Sequence, residues 1–452
     1  MRDALLALIV LGLVGSSILS SVYALLGYLW FALMRPDVLA WASERPYSFI
    51  LGLVAILSAI RDVPWANRLS RNVWVWLFLA LSGWYLLSVL TSQGFAESAL
   101  AFRIFLPALA TSVLIPLVIR TRENFRRMMI VIAFSVGLVG VKFGLWGLML
   151  GGVRIVSGYG GALSDNNILG LGLVTVLPLC WCLRDALTSW WARLAAMGLA
   201  FLVAAAAVQT HSRGALLSLA LIVPLMAWRS RNRILTMVLL VLLLVPAVYL
   251  VRDSLFDRMN TLNVEEESEL DYSAQSRLRI WRGAWKMALD YPITGIGFGG
   301  SPFMHQIHKY MDGEGLQKYA HNNYVQILAD SGFPALFLYC GLLFGQILWL
   351  GRLYRRLKET DREMAAYAAG LQVALIGFGM SSIFLSRTYY DFPYYLFMAG
   401  AAFGPLAQEV LEASARARTA ARAPVPGMPA PPLNPPVRPG EVFAPPLSRR
   451  FR

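Results

Sequence analysis

Charge is scarce in this chain. Only 15% of its 452 residues are Asp, Glu, Lys or Arg, against 57% that are hydrophobic, and a soluble domain of this length has no interior able to bury so much apolar surface. Cysteine is almost lacking: Cys180, Cys182 and Cys340 all lie in or beside apolar runs, and the most polar segment has none, so no disulfide framework is implied. These shortages exclude a disordered chain, a fibrous repeat and a small disulfide scaffold. There are four histidines and no Asp-x-Asp pair. His305 and His308 could share a helical face with Asp312 nearby, but no Cys or third His completes a metal set. The acidic run Glu265, Glu266, Glu267, Glu269 and Asp271 lacks ligand spacing and reads as solvated surface.

What the chain does have is apolar runs of bilayer-spanning length almost from end to end. Asp3 and Arg35 bracket an uncharged stretch that is counted as one crossing, although Gly12, Gly15 and the Ser16, Ser17, Ser20, Ser21 cluster could break it. A cleaved signal peptide ending near Ser21-Val22-Tyr23-Ala24 is the alternative, but hydrophobicity continues to Met34 and favours an uncleaved anchor. Further spans are expected at about residues 47–60, 72–90, 98–119, 128–150, 166–183, 194–209, 214–228, 234–251, 323–350, 364–385 and 392–411. The expected fold is therefore all-α: a polytopic integral membrane protein with about twelve transmembrane helices.

The formal net charge of +14 does not point to nucleic acid, because the cations cluster in short loops between apolar runs and in the C-terminal tail. Loops holding Arg61, Arg68 and Arg71, then Arg120, Arg122, Arg126 and Arg127, then Arg184 and Arg193, then Arg229, Arg231 and Arg233, then Arg352, Arg355, Arg356 and Lys358 alternate with loops nearly free of cations. By the positive-inside rule both termini are expected in the cytoplasm. Four regions follow: N-terminal membrane helices over 1–251, a loop on the outer face over 252–322, which the resemblance given below would make periplasmic, C-terminal membrane helices over 323–411, and a disordered basic, Pro-rich cytoplasmic tail over 412–452.

An arginine at the bilayer centre costs about 2.5 to 3.5 kcal/mol even on a lenient scale, so isolated cations in the spans need a reason. Arg103, Lys142, Arg154, Arg213 and Arg387 all fall in the outer half or at the outer edge of their spans. They could line one cationic cavity open to the outer leaflet, or snorkel singly to the headgroups. Arg213 stands out within Thr210-His211-Ser212-Arg213-Gly214, a very short polar turn where Ser212 can cap the second helix and a guanidinium beside a helix N-terminus makes a good anion site.

In the long loop, Leu278, Trp281, Trp285 and Ala288 recur at helical spacing while Arg277, Arg279, Arg282 and Lys286 occupy other faces. The pattern predicts an amphipathic interfacial helix stopped by Tyr291-Pro292. The following Gly295-Ile296-Gly297-Phe298-Gly299-Gly300 resembles a dinucleotide loop only superficially, since no strand precedes it; tight turning of the backbone is the simpler explanation. His321 opens Ala320-His321-Asn322-Asn323-Tyr324 where the loop re-enters the membrane. A neutral imidazole there, near cations that disfavour its protonation, suits general-base work, and a capping or interfacial histidine is the alternative.

Taken together, Ser212-Arg213-Gly214, Ser276-Arg277 with Trp281 and the Pro292, Gly295, Gly297 turn, and Ala320-His321-Asn322-Asn323-Tyr324 resemble the Wzy-C superfamily. That superfamily contains O-antigen ligases, O-antigen polymerases and bacterial protein O-oligosaccharyltransferases. The resemblance covers roughly residues 160–345, including Ser164-Asp165-Asn166-Asn167, and the N-terminal third with Trp30, Met34, Arg35-Pro36 and Trp41 resembles the extra region of exosortase-associated ligases. It implies a metal-independent, inverting glycosyltransferase without cofactor, moving a glycan from undecaprenyl diphosphate to a sugar hydroxyl of lipid A-core at the periplasmic face. It further implies that Arg213 and Arg277 bind the lipid diphosphate and that His321 deprotonates the acceptor. Arg279, Arg282, Lys142, Arg154 and Arg103 are further candidates for substrate binding, while Tyr324, Asn322 and Asp165 could orient substrate or cap helices. A transporter of lipid-linked glycan would also use a cationic cavity, but no internal repeat is visible.

Overall fold

A computed structural model of the chain describes residues 2–40, 45–63, 72–150, 155, 157–160, 163–230, 233–234, 236–238, 240–241, 267–311, 318–386 and 388–422. The apolar runs become helices, in chain order α1 (Arg2–Ser17), α2 (Ser21–Met34), α3 (Pro36–Leu39), α4 (Tyr47–Asp62), α5 (Val73–Leu90), α6 (Phe95–Val118), α7 (Arg122–Met149), α8 (Asn166–Ala186), α9 (Trp190–Gln209) and α10 (Arg213–Arg229). After them come α11 (Glu267–Asp290), α12 (Ser301–Gln306), α13 (Asn323–Leu357), α14 (Arg362–Ser381) and α15 (Asp391–Arg422). Among the described residues, α5, α6, α7, α8, α9, α13 and α14 are the seven helices long and apolar enough to cross a membrane. The chain is a helical integral membrane protein. One departure from helix is a short antiparallel hairpin, β1 (Ser157–Gly160) with β2 (Leu163–Asp165). Most of the span expected at 234–251, Arg154, Arg387 and the last thirty residues lie outside the described residues.

Two expectations are corrected at the ends of the chain. The first apolar stretch is two helices rather than one crossing, because Ser20 adopts extended backbone and caps α2 by accepting from the Val22 N–H at 3.2 Å. At one end of this hairpin the Ser21 N–H donates to Asp62 at 2.7 Å and Arg61 donates to the Ser17 carbonyl at 3.1 Å. At the other end the Tyr47 hydroxyl donates to Asp3 at 3.1 Å and Arg45 pairs with it at 3.7 Å. The extra pass puts Asp3 at the end of α4 opposite to Arg61. At the C-terminus, α15 continues to Arg422, about three turns into the expected tail, since Ala413, Ala415, Ala417, Ala420 and Ala421 favour helix.

The cation-rich loops gather at one end of the bundle. Arg122 pairs with Asp361 at 2.6 Å and donates to Glu363 at 2.7 Å, Arg126 donates to the same Glu363 at 2.6 Å, and Arg362 and Arg184 share Asp185 at 2.7 Å each. These bonds tie α7, α8 and α14 together. Within the bundle α14 packs closely on α8, its buried face running from Met364 to Ser381.

The opposite end carries a second, smaller core. Ile280, Ala284 and Met287 of α11 pack with Ile296, Phe303, Ile307, Ala320 and Ala329, so the described part of the long loop is anchored on α13. The anchor is a break: Gly332 has φ 78° and ψ 179° inside α13 and Pro334 follows it, so the helical hydrogen bonds cannot continue there. The loop supplies the missing partners. Phe333 N–H donates to Pro292 O at 2.9 Å, Ile296 N–H to Ala329 O at 2.9 Å and Gly297 N–H to Asp330 O at 3.0 Å. Trp84 of α5 donates to Ile293 O at 3.1 Å and Ser331 O at 3.2 Å.

This contact accounts for the glycines. Gly295 has φ 70°, and a Cβ there would sit 2.3 Å from the Asp330 carbonyl carbon; one on Gly332 would sit 2.2 Å from Ile293 O. Gly295→Ala should therefore lower stability by about 2 to 4 kcal/mol, combining the left-handed penalty with overpacking. Gly341→Ala, in open space on the same helix α13, should gain up to about 1 kcal/mol. Thermal unfolding of the purified protein in detergent measures both.

Candidate functional site

Three segments converge beside the small core. The first is the turn into α10. His211 has φ 51°, Ser212 accepts from the Ala215 N–H at 3.4 Å as the helix cap, and Asn166 donates to Thr210 O at 2.9 Å from the start of α8. Gly170 permits the close approach, since a Cβ there would meet Ala215 Cβ at 2.9 Å and Thr210 Oγ1 at 3.1 Å. Arg213, the first helical residue, is exposed.

The second segment is α11. Its protein-facing side is Ser276, Ile280, Gly283, Ala284, Met287 and Ala288, whereas Leu278, Trp285 and Leu289 are exposed. The expected single apolar face of Leu278, Trp281, Trp285 and Ala288 is thus divided: one side packs on protein, and an exposed apolar strip with spacings of seven and four residues remains outside. That strip is what an interfacial helix presents to lipid. Arg277 is half-buried between the two sides, and burial followed by the neighbouring charge of Arg213 pushes its pKa down; the guanidinium nonetheless remains charged. Among the described residues neither Arg213 nor Arg277 is paired with a carboxylate.

The third segment enters α13. His321 has φ 50°, a left-handed conformation costly for a residue with a Cβ. Its imidazole pKa is lowered by burial first and then by the charges of Arg277 and Lys318, with Asp165 opposing them. Asp165 also caps α8, accepting from the Asn167 N–H at 2.8 Å. Arg277 is therefore within electrostatic reach of both Arg213 and His321, and its charge helps to keep the imidazole neutral over more of the pH range. In such a cluster, neighbouring guanidinium groups suit an anion, and a neutral imidazole suits a proton.

Not every expected residue joins it. Asn322 caps α13 by accepting from Tyr324 and Val325 N–H, and Tyr324 donates to Gly379 O at 2.9 Å, so both have structural duties. Arg279 is half-buried on α11 and Arg282 exposed, while Arg103 on α6 and Lys142 on α7 are exposed. Arg154 and Arg387 lie outside the described residues. Lys318 was missed by sequence reasoning, though its place three residues before His321 was a usable signal. Phe384 and Ser386, between α14 and α15, were missed too: Phe384 Cβ lies 3.2 Å from where a Gly214 Cβ would be, and Ser386 Oγ accepts from Asn322 N–H at 3.1 Å. Nothing in the sequence marks them.

The fold and this cluster define a helical membrane protein in which Arg277 stands within electrostatic reach of Arg213 and His321 at one end of the bundle. Residues 198–340 match the family model described as O-antigen ligase, and the match spans Arg213, Arg277 and His321. Residues 1–188 match a second model, a family of unknown function. No curated protein matches the chain.

Removing the charge that acts on His321 tests the electrostatics directly. Arg277→Gln should move protonation of His321 to higher pH, toward the ordinary imidazole value. The pH dependence of carbethoxylation of the His321 peptide, read by mass, reports this; an unchanged midpoint would separate the two groups. Because the folded state resists protonating His321, the unfolded chain takes up that proton first as pH falls. Acidification therefore costs stability, and the variant should lose less of it.

Proposed function

We propose that this protein is an O-antigen ligase, transferring glycan from undecaprenyl diphosphate to a sugar hydroxyl of lipid A-core at the periplasmic face of the bacterial inner membrane. The observation that carries the reading is the position of Arg277, which feels the charge of Arg213 and whose own charge acts on His321. In this reading Arg213 and Arg277 hold the diphosphate, where negative charge builds as the glycosyl C1–O bond breaks. His321 accepts the acceptor's proton as its oxygen forms the new bond to C1 from the opposite side, inverting that carbon. The lipid diphosphate leaves with the bonding electron pair, and the imidazolium later returns its proton to water.

The orientation follows from charge. The end holding Arg122, Arg126, Arg184 and Arg362 faces the cytoplasm and the Arg213, Arg277 and His321 end faces outward. With twelve expected crossings and the first stretch folded as two passes, Asp3 then faces the periplasm while α15 ends in the cytoplasm. The long loop over 252–322 is the periplasmic region, and the exposed Leu278, Trp285 and Leu289 strip rests in the outer leaflet.

Full-length enzyme in nanodiscs, given lipid-linked glycan with lipid A-core and with peptide acceptors, should yield a lipid A-core product of the summed mass. A product on peptide only, or a lengthened lipid-linked chain, would place the protein with the protein-glycosylating or polymerising members instead. Translocation without a covalent product would make it a transporter. His321→Ala should lower kcat at least about 100-fold, and Arg213→Ala or Arg277→Ala a comparable factor, with thermal unfolding unchanged; near-normal turnover in any of them removes that residue from the reaction.

A further inference from the structure

The left-handed backbone of His321 is held from both sides. A peptide unit is planar, so a residue's φ and ψ are set by the orientations of the two planes that flank it. The leading plane, between residues 320 and 321, is fixed by Trp281, whose indole Nε1–H donates to Ala320 O at 2.7 Å. The trailing plane is fixed by the Asn322 N–H, which donates to Ser386 Oγ at 3.1 Å. Behind them, the Ala320 N–H donates to Gln326 Oε1 at 3.1 Å, Gln326 Nε2 donates to Asp330 Oδ1 at 2.9 Å, and the Tyr389 hydroxyl donates to Asp330 Oδ2 at 2.7 Å.

This chain of bonds is internal: Ala320 and Asp330 are 0% exposed and Gln326 2%. In so dry a place each bond is costly to lose, because the group left behind has no water to turn to. Strained non-glycine backbone persists only where its surroundings over-determine it, and here two elements do so. One of them is α11 itself. Trp281 follows Arg277 by four residues, so the indole that orients the His321 peptide and the guanidinium beside His321 stand on one helical ridge. A shift of α11 would move both groups together.

We propose that Trp281 and Ser386 are positioning residues for the transfer reaction: they clamp the peptide planes on either side of His321, and through Trp281 they fix its register against Arg277. The inference rests on His321 being the base. Among the described residues, the charged groups acting on the imidazole are Arg277 from α11, Lys318 from its own segment and Asp165 from the start of α8.

Trp281→Phe keeps the ring and deletes the donor, and Ser386→Ala deletes the other hydrogen-bond partner. Each should lower kcat about 10- to 100-fold, the scale of a misplacement near 1 Å, with KM for the lipid-linked donor unchanged. The acid limb of the kcat–pH profile should shift to higher pH as the imidazole leaves its buried, cation-flanked place. Trp285→Phe, on the same helix and without a bond to Ala320, should match the parent enzyme. Full turnover in a folded Trp281→Phe or Ser386→Ala, or reduced kcat with an unmoved acid limb, overturns the clamp. If Trp281→Phe does not fold, Ser386→Ala decides by the same readings. The two levels separate cleanly: an active His321→Ala removes the base, whereas an inactive His321→Ala beside a normal Trp281→Phe removes only the clamp.

Discussion

Backbone polar groups inside a bilayer must find partners within the protein, and the break in α13 is where this chain meets that requirement most tightly. At Gly332 the helix stops satisfying its own peptides, and the segment from Pro292 to Gly297 crosses it closely enough to bond Phe333 N–H, Ala329 O and Asp330 O. The crossing is possible only because Gly295 and Gly332 lack side chains at the contact. It joins the small core of the long loop to the membrane bundle, and it places α11 and the entry to α13 side by side. Were the helix continuous, the loop would have no fixed seat, and Arg277 and His321 would not be held in common.

The two ends of the bundle use charge in opposite ways. At one, arginines are neutralised: Arg122, Arg126, Arg184 and Arg362 each meet Asp361, Glu363 or Asp185, which lashes α7, α8 and α14 together. At the other, Arg213 and Arg277 are electrostatic neighbours without a paired carboxylate among the described residues, and burial first, then the charge of Arg213, lowers Arg277's pKa. Uncompensated cations near one another destabilise an empty site and favour an anion entering it. Arg277 also discourages a proton on His321, so one guanidinium links the second cation and the imidazole.

How much of this could be read beforehand varied with how local the signal was. The membrane helices were legible as apolar runs, and Arg213, Arg277 and His321 were legible as short motifs whose neighbours cap helices or turn the chain. The N-terminal hairpin was half legible: the serine cluster marked a possible break, but Asp3 with Tyr47 and Ser21 with Asp62 are contacts across about forty residues. The division of α11 into a packed and an exposed side was hidden, because Leu278 and Ile280 are equally apolar and only their neighbours tell them apart. Asp330, Gln326 and Tyr389 carried no pattern at all. The bond from Tyr389 to the Asp330 carboxylate joins residues 59 positions apart.

From the sequence alone came the character of the solvent, the helical spans and the short motifs that hold Arg213, Arg277 and His321, because hydrophobic length and short capping motifs are properties of adjacent residues. The tertiary structure alone decided which cations stand together, which side of α11 meets lipid, and how the left-handed turn at His321 is held. Those outcomes depend on hydrogen bonds and fields between segments that the chain brings close only after α13 breaks and the loop packs into the gap.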